Sequence, residues 1–385
     1  MVVASVLAMV PPRRLPNWIG PLAVCVAGLL VGITPWAAAR SAADDLAAPI
    51  AFLLIAVPLA VLLDETGFFA SVAAMVGGGR HLRVGLWVMA ALVTIVFNLD
   101  AAVVLLTPLY VRIALGRDED PVVFGFMPAL LASLASSVLP VSNLTNLIAV
   151  QRLGTSTGSF VGHLALPSIA AVALGGWIFL RLAPASPGAS FIDDTVDRRA
   201  LLIGIPIVIY LLVGFTIGSR VGAPAWAVAA GPLLVLMIAR REVPVRHVPW
   251  GAAALAAGLG VLATSASQHL SVERVLALRG VPGEFATISA AALGSNAINN
   301  LPMMLLTLPG LDVHPERVWP VLLGANIGPT LWVTGALSTL LWQATMKRLG
   351  YSISARTYAR TAARVGVPAL LAAAGVHVAL VVARR

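Results

Sequence analysis

Long apolar runs, punctuated by charge, Pro and Gly, dominate the chain at 18–38, 46–63, 83–115, 122–150, 160–182, 201–218, 223–239, 248–266, 284–310, 317–345 and 362–382. About 20 helical residues cross a hydrocarbon core of about 30 Å. The pattern therefore predicts an all-α, polytopic integral membrane protein. Two runs carry a polar centre between shorter apolar arms: Asn98-Leu99-Asp100 within 83–115, and Ser295-Asn296-Ala297-Ile298-Asn299-Asn300 within 284–310. Each is expected to form a re-entrant helical hairpin. The runs 122–150 and 317–345 are long for one helix and contain Pro, Ser, Asn or Gly interruptions, so each is expected to be one broken crossing. The stretches 68–82 and 269–280 are too short to span and carry Arg80, His81, Glu273, Arg274 and Arg279; they are expected to lie along the interface. The sum is about nine crossings and two hairpins.

Composition agrees. Of 385 residues, 59% are hydrophobic and 11% charged, whereas soluble domains carry about 25% charged residues. The net charge of +9 is dispersed among short loops, without the basic stripe or stacking residues of a nucleic-acid binder. It fits the positive-inside rule better. With hairpins that return to their own side, most Lys and Arg residues, including Arg13, Arg14, Arg112, Arg117, Arg198, Arg199, Lys347 and Arg348, fall on the side of the N-terminus. A minority, such as Arg40, Arg152, Arg220 and Arg317, fall opposite. The N-terminus is thus expected to be cytoplasmic, with the protein in the cytoplasmic (inner) membrane. The apolar first ten residues precede Arg13 and Arg14, the reverse of a cleaved signal's order, so they are expected to be retained. Cys25 is the single cysteine, which excludes an intrachain disulfide and a CxxC pair.

Short words recur in order. Pro16-Asn17-Trp18 returns as Pro224-Ala225-Trp226, Leu105-Leu106-Thr107 as Leu305-Leu306-Thr307, and Arg152-Leu153-Gly154 as Arg348-Leu349-Gly350. Matching segment lengths point to a duplication: a first repeat over 1–183, a linker and connecting helix over 184–221, and a second repeat over 222–385. An odd connecting helix turns the second repeat upside down, and transporters of that design bind substrate and ion near the midplane, where broken helices meet.

The candidate chemistry lies in those breaks. Asp100 is the one ionisable side chain inside a predicted embedded segment and away from its ends, and a carboxylate there costs at least about 2.5 kcal/mol. It is expected to exchange a proton or to stay ionised beside a cation; the competing role is capping of the helix that follows. At an offset of 200 residues Asp100 corresponds to Asn300. Asn98, Asn296, Asn299 and Asn300 can donate and accept hydrogen bonds at the tips, or can merely satisfy the turn backbone. The first broken crossing clusters Ser142, Asn143, Thr145 and Asn146; the second offers Asn326, Thr334 and Ser338 among Gly and Pro. Such groups also serve as glue between packed helices. No phosphate loop or metal-binding HExxH helix is present. No enzyme, cofactor or metal site is expected, and any coupling ATPase would be a separate chain.

The stretches Phe97-Asn98-Leu99-Asp100-Ala101-Ala102-Val103-Val104-Leu105-Leu106-Thr107-Pro108, Leu139-Pro140-Val141-Ser142-Asn143-Leu144-Thr145-Asn146, Asn299-Asn300-Leu301-Pro302 and Gly324-Ala325-Asn326-Ile327-Gly328-Pro329 together resemble the arsenite/antimonite efflux permeases of the ion transporter superfamily. The superfamily also holds citrate and dicarboxylate carriers and sodium/proton antiporters. The resemblance implies an inverted-repeat fold with hairpins, commonly a homodimer, and efflux driven by proton motive force, so the leading expectation is proton-coupled export of arsenite or antimonite. It also implies that Asp100, Ser142, Asn143, Thr145, Asn146, Asn299, Asn300 and Asn326 occupy motif positions. In one departure, Leu99 separates Asn98 from the acid, where the pattern has the two adjacent. The competing functions are an organic-anion or sodium-coupled carrier and, from another class, a channel or a non-transporting membrane protein.

Overall fold

Gly32 and Pro35 divide the first apolar run in two. The computed structural model describes residue 16 and residues 18–75, 79–183, 196–270 and 272–384. Helix α1 (Ile19–Val31) ends where Gly32 turns left-handed at φ 79°, and α2 (Trp36–Asp64) begins after Pro35. The expectation of one crossing over 18–38 is thereby corrected: Gly adopts positive φ freely, and Pro is preorganised for a helix start. With 29 residues, α2 is about 44 Å long and runs through Arg40, Asp44 and Asp45 before reaching the expected segment 46–63. Arg13, Arg14, Asn17, residues 184–195 of the linker and Arg385 lie outside the described residues.

The chain continues through α3 (Phe68–Met75), α4 (Gly79–Phe97), α5 (Leu99–Gly116), α6 (Pro121–Leu134), α7 (Leu144–Leu153) and α8 (Thr157–Leu182). Then α9 (Arg198–Ile217) leads to a second succession: α10 (Ala225–Arg240), α11 (Trp250–Ser267), α12 (Glu273–Leu276), α13 (Gly280–Ile298), α14 (Asn300–Val313), α15 (Val318–Ile327), α16 (Leu337–Arg348) and α17 (Ala355–Ala383). No strand occurs among the described residues. Among the described residues, six helices, α2, α5, α8, α9, α11 and α17, are long and apolar enough to cross a bilayer.

Each expected hairpin is a pair of helices meeting at a single asparagine, Asn98 between α4 and α5 and Asn299 between α13 and α14. The arms of the first lie side by side, because the Tyr110 hydroxyl donates to the Leu86 carbonyl at 2.5 Å and the two residues are equally distant from Asn98. In the second, the Met303 side chain of α14 lies against Gly294 of α13, where a Cβ would come within 2.3 Å of its sulfur.

Each interruption carries a Pro that lacks a backbone donor, Pro140 in the first and Pro329 in the second. After α6 the chain is irregular as far as a 3-10 turn at Pro140–Ser142, and α7 starts at Leu144. After α15 come 3-10 turns at Gly328–Leu331 and Val333–Gly335, then α16.

The helices sort into two groups. In one, α2 packs on α10 and α11, and α11 on α1; in the other, α8 lies along α17, α5 on α6 and α13 on α15. A Cβ at Gly324 would come within 2.3 Å of the Ile288 carbonyl oxygen, which is how α15 gets so near α13. Contacts also cross between the successions: α5 packs on α16, and α14 on α7.

Two buried ion pairs fasten the hairpin bases. Arg83, near the start of α4, meets Glu119, just before α6, at 2.6 Å, their side chains 5% and 2% exposed; Arg83 also donates to the Ala183 carbonyl. Glu284, near the start of α13, meets Arg317, just before α15, at 2.6 Å. Arg317 donates to the Leu276 and Leu278 carbonyls, and His377 of α17 lies 3.1 Å from the other Glu284 oxygen. The two places match and the signs are reversed.

Candidate functional site

Asn98 and Asn299 have nearly the same backbone, φ 87° and ψ 152° against φ 80° and ψ 151°. Positive φ with ψ near 150° lies outside the left-handed helical region and is a strained backbone for a residue with a side chain. In both, the side-chain oxygen accepts a backbone N–H two residues on: from Asp100 at 2.8 Å and from Leu301 at 3.2 Å. Each asparagine is thus the N-cap of the returning arm. This pairs Asn98 with Asn299 and Asp100 with Leu301, correcting the expected Asp100–Asn300 correspondence by one residue. It also moves the capping role from Asp100 to Asn98.

With capping done by its neighbour, the Asp100 carboxylate is left for the space in front of it. Asp100 is 4% exposed, and its Oδ1 has no hydrogen-bond partner among the described residues. Replacement of Asn98 by Ala is expected to lower stability by about 0.5–2 kcal/mol through the lost cap, with positive φ adding to the loss, whereas Gly costs only a few tenths. Thermal unfolding of the two variants in detergent checks this ordering.

A small cleft opens between the tips. It is lined by Leu99 and Asp100 of α5, Asn143 and Leu144 at the start of α7, Asn299, Asn300 and Leu301 at the start of α14, Leu337 of α16, and Leu255, Ala256 and Leu259 of α11. The first turns of four helices therefore converge on one space, each contributing a partial positive charge and unpaired N–H groups. Among the described residues, no Lys, Arg or His lines it. Among those same described residues, the only formal charge facing the cleft is that of Asp100, set among amides and the positive ends of helices.

The remaining expected residues are placed around it. Asn326, at the end of α15, bonds to Asn143, Thr145, Asn146 and Ser137 across the two breaks, and it stands behind the cleft. Asn146 donates to the Ser136 and Leu139 carbonyls. Ser142 is spent within its own turn, donating to the Leu139 carbonyl at 2.5 Å and accepting from the Leu139 N–H at 3.1 Å. Asn296 donates to the Ala292 and Gly328 carbonyls, both at 2.8 Å. Asn299 reaches the Thr334 carbonyl at 3.3 Å. Ser338 is buried with its hydroxyl unpaired among the described residues. The structure thus brings Asp100, Asn143, Asn299 and Asn300 to one cleft, and Asn326 with Thr145 and Asn146 to a network behind Asn143.

Sequence reasoning missed Ser137, the apolar α11 wall and the Glu284–Arg317–His377 cluster. Only Ser137 left a signal, as part of the Ser/Asn-rich break; the others are joined by contacts far apart along the chain.

The hairpins, breaks and polar cleft in an all-helical, apolar body define a multi-pass membrane transporter. The chain belongs to the family described as citrate transporter (CitMHS), whose profile matches residues 5–345. It is similar to the arsenical pump membrane protein of Yersinia enterocolitica, 29% identical over 352 residues and covering 81% of each chain. The arsenical pump membrane protein of Escherichia coli strain K12 is 27% identical over 358 residues, covering 83% of each. Among solved structures, the YdaH transporter of Alcanivorax borkumensis shares the fold at a TM-score of 0.55 and 15% identity, over 92% of this chain and 89% of that one.

Proposed function

We propose that this transporter exports trivalent arsenic or antimony as a small, uncharged hydroxy species, driven by the proton gradient, with Asp100 as the proton-carrying group. The observation that carries the reading is the composition of the cleft among the described residues: a single carboxylate, unpaired at one oxygen, among amides and helix N-termini, with no fixed cation. Hydroxyl-bearing arsenite can accept from helix N–H groups and from the amides, and can donate to Asp100 or to an amide oxygen. A gain or loss of a proton at Asp100 changes the charge that those helix ends must balance, which links proton and solute. The similarity to proteins named arsenical pump membrane protein supports the same solute. In this reading the halves 1–183 and 222–385 are inverted repeats joined through 184–221, and the N-terminus is cytoplasmic.

A second reading, carriage of citrate or a dicarboxylate, is favoured by the family's description and by the four helix N-termini, which suit an anion once Asp100 is protonated. Everted membrane vesicles decide between them. Arsenite should accumulate when a proton gradient is imposed and stop when a protonophore is added. Citrate or succinate accumulation on a sodium or proton gradient, with no arsenite movement, would replace the first reading by the second.

A further inference from the structure

We infer that Asn326 is a positioning residue: it touches no solute and fixes the cleft residue Asn143 by tying the two broken crossings together. The inference rests on the transport reading above for the cleft and on geometry for the rest. Asn326 is 1% exposed. Its Oδ1 accepts from Asn143 Nδ2 at 2.9 Å and from Thr145 Oγ1 at 2.7 Å. Its Nδ2 donates to Ser137 Oγ at 2.9 Å and to Asn146 Oδ1 at 2.6 Å. A carboxamide has two acceptor sites and two donors, so all of its capacity is spent, and all of it on the other broken crossing.

The direction of that amide is dictated from outside. Asn143 Oδ1 accepts the Thr145 N–H, a group that can only donate, so Asn143 must present its NH2 to Asn326. Asn146 directs its own NH2 at the Ser136 and Leu139 carbonyls, groups that can only accept, so it must present its oxygen. Asn326 therefore needs an acceptor on one side and a donor on the other. Asn satisfies both at this reach; Asp lacks the donors when ionised, and Ala lacks both. The bonds join residues 180 to 189 positions apart in sequence, one end of which reaches Asn143 in the cleft wall.

The test uses the full-length protein in proteoliposomes with arsenite as the probe, together with hydrogen–deuterium exchange in detergent. Asn326→Ala should raise the arsenite KM by about tenfold while Vmax falls by less than about threefold, the split expected when binding geometry is lost. In an Asn143→Ala background the same change should move KM by less than about twofold, because residues acting through one contact are not additive. Exchange over 135–147 should rise in Asn326→Ala. If Asn326→Ala fails to fold, Asn326→Ser, whose hydroxyl can still donate or accept, carries the same readouts. A Vmax loss at unchanged KM, or KM effects that multiply in the double variant, overturns the inference. Should wild-type protein move no arsenite, the functional reading falls alone, and exchange over 135–147 still decides this one: no change there overturns it.

Discussion

Asp100→Asn is expected to reduce proton-driven arsenite accumulation in everted vesicles to the level of vesicles without the protein, while the variant still inserts and folds. The side chain keeps its shape and loses its titration. Folding should survive because the cap of α5 is Asn98, whose oxygen takes the Asp100 N–H, and because the Asp100 Oδ1 gives up no bond within the described structure. A buried ionisable group without a partner is otherwise a cost to a membrane protein, so its removal should, if anything, stabilise. Passive equilibration of arsenite down its own gradient is the movement that can persist. Accumulation that still follows the pH gradient in Asp100→Asn would take the coupling role away from this residue.

The largest loss of stability is expected at the hairpin bases. Arg83→Ala should cost about 3–5 kcal/mol, since it leaves Glu119 buried without its closest counter-charge. Arg83 also donates to the Ala183 carbonyl and lies over the Phe124 ring, 5.4 Å from its centre, so packing is lost along with charge. The double exchange Arg83→Glu with Glu119→Arg should recover part of the loss by restoring a pair, and Arg83→Glu alone should be worse than Arg83→Ala. Thermal unfolding of purified protein in one detergent orders the three. Equal midpoints for Arg83→Ala and the parent protein would mean that the pair holds nothing in place.

The parts that periodicity reports could be read before the structure. A polar centre inside an apolar run marks a break at lipid depth, because unpaired backbone must be satisfied there, and both hairpins and both broken crossings lie where such centres lie. The start of α2 was misplaced because apolarity stops near residue 46 whereas the helix, with its hydrogen bonds internal, runs on through Arg40, Asp44 and Asp45. The match of Asp100 with Asn300 followed from the Leu-Leu-Thr words, yet the tips are aligned by backbone, Asn98 with Asn299, a registration no apolar word encodes. Asn326 could be picked out as polar and near a Gly-Pro break. That it faces the first broken crossing could not, since such a partner is chosen by the packing of helices and leaves no local trace. The same holds for Arg83 with Glu119, separated by 36 positions.

The opposite polarity of the two basal ion pairs bears on assembly. If the first hairpin settled against the approach to α15, Arg83 would confront Arg317; if the second settled against the approach to α6, Glu284 would confront Glu119. Each error buries like charges with no water to screen them, a discrimination by repulsion. A nascent chain holding two look-alike wedges and two look-alike receptacles thus has a way to reject the crossed arrangement, and matching the signs at both bases would remove it.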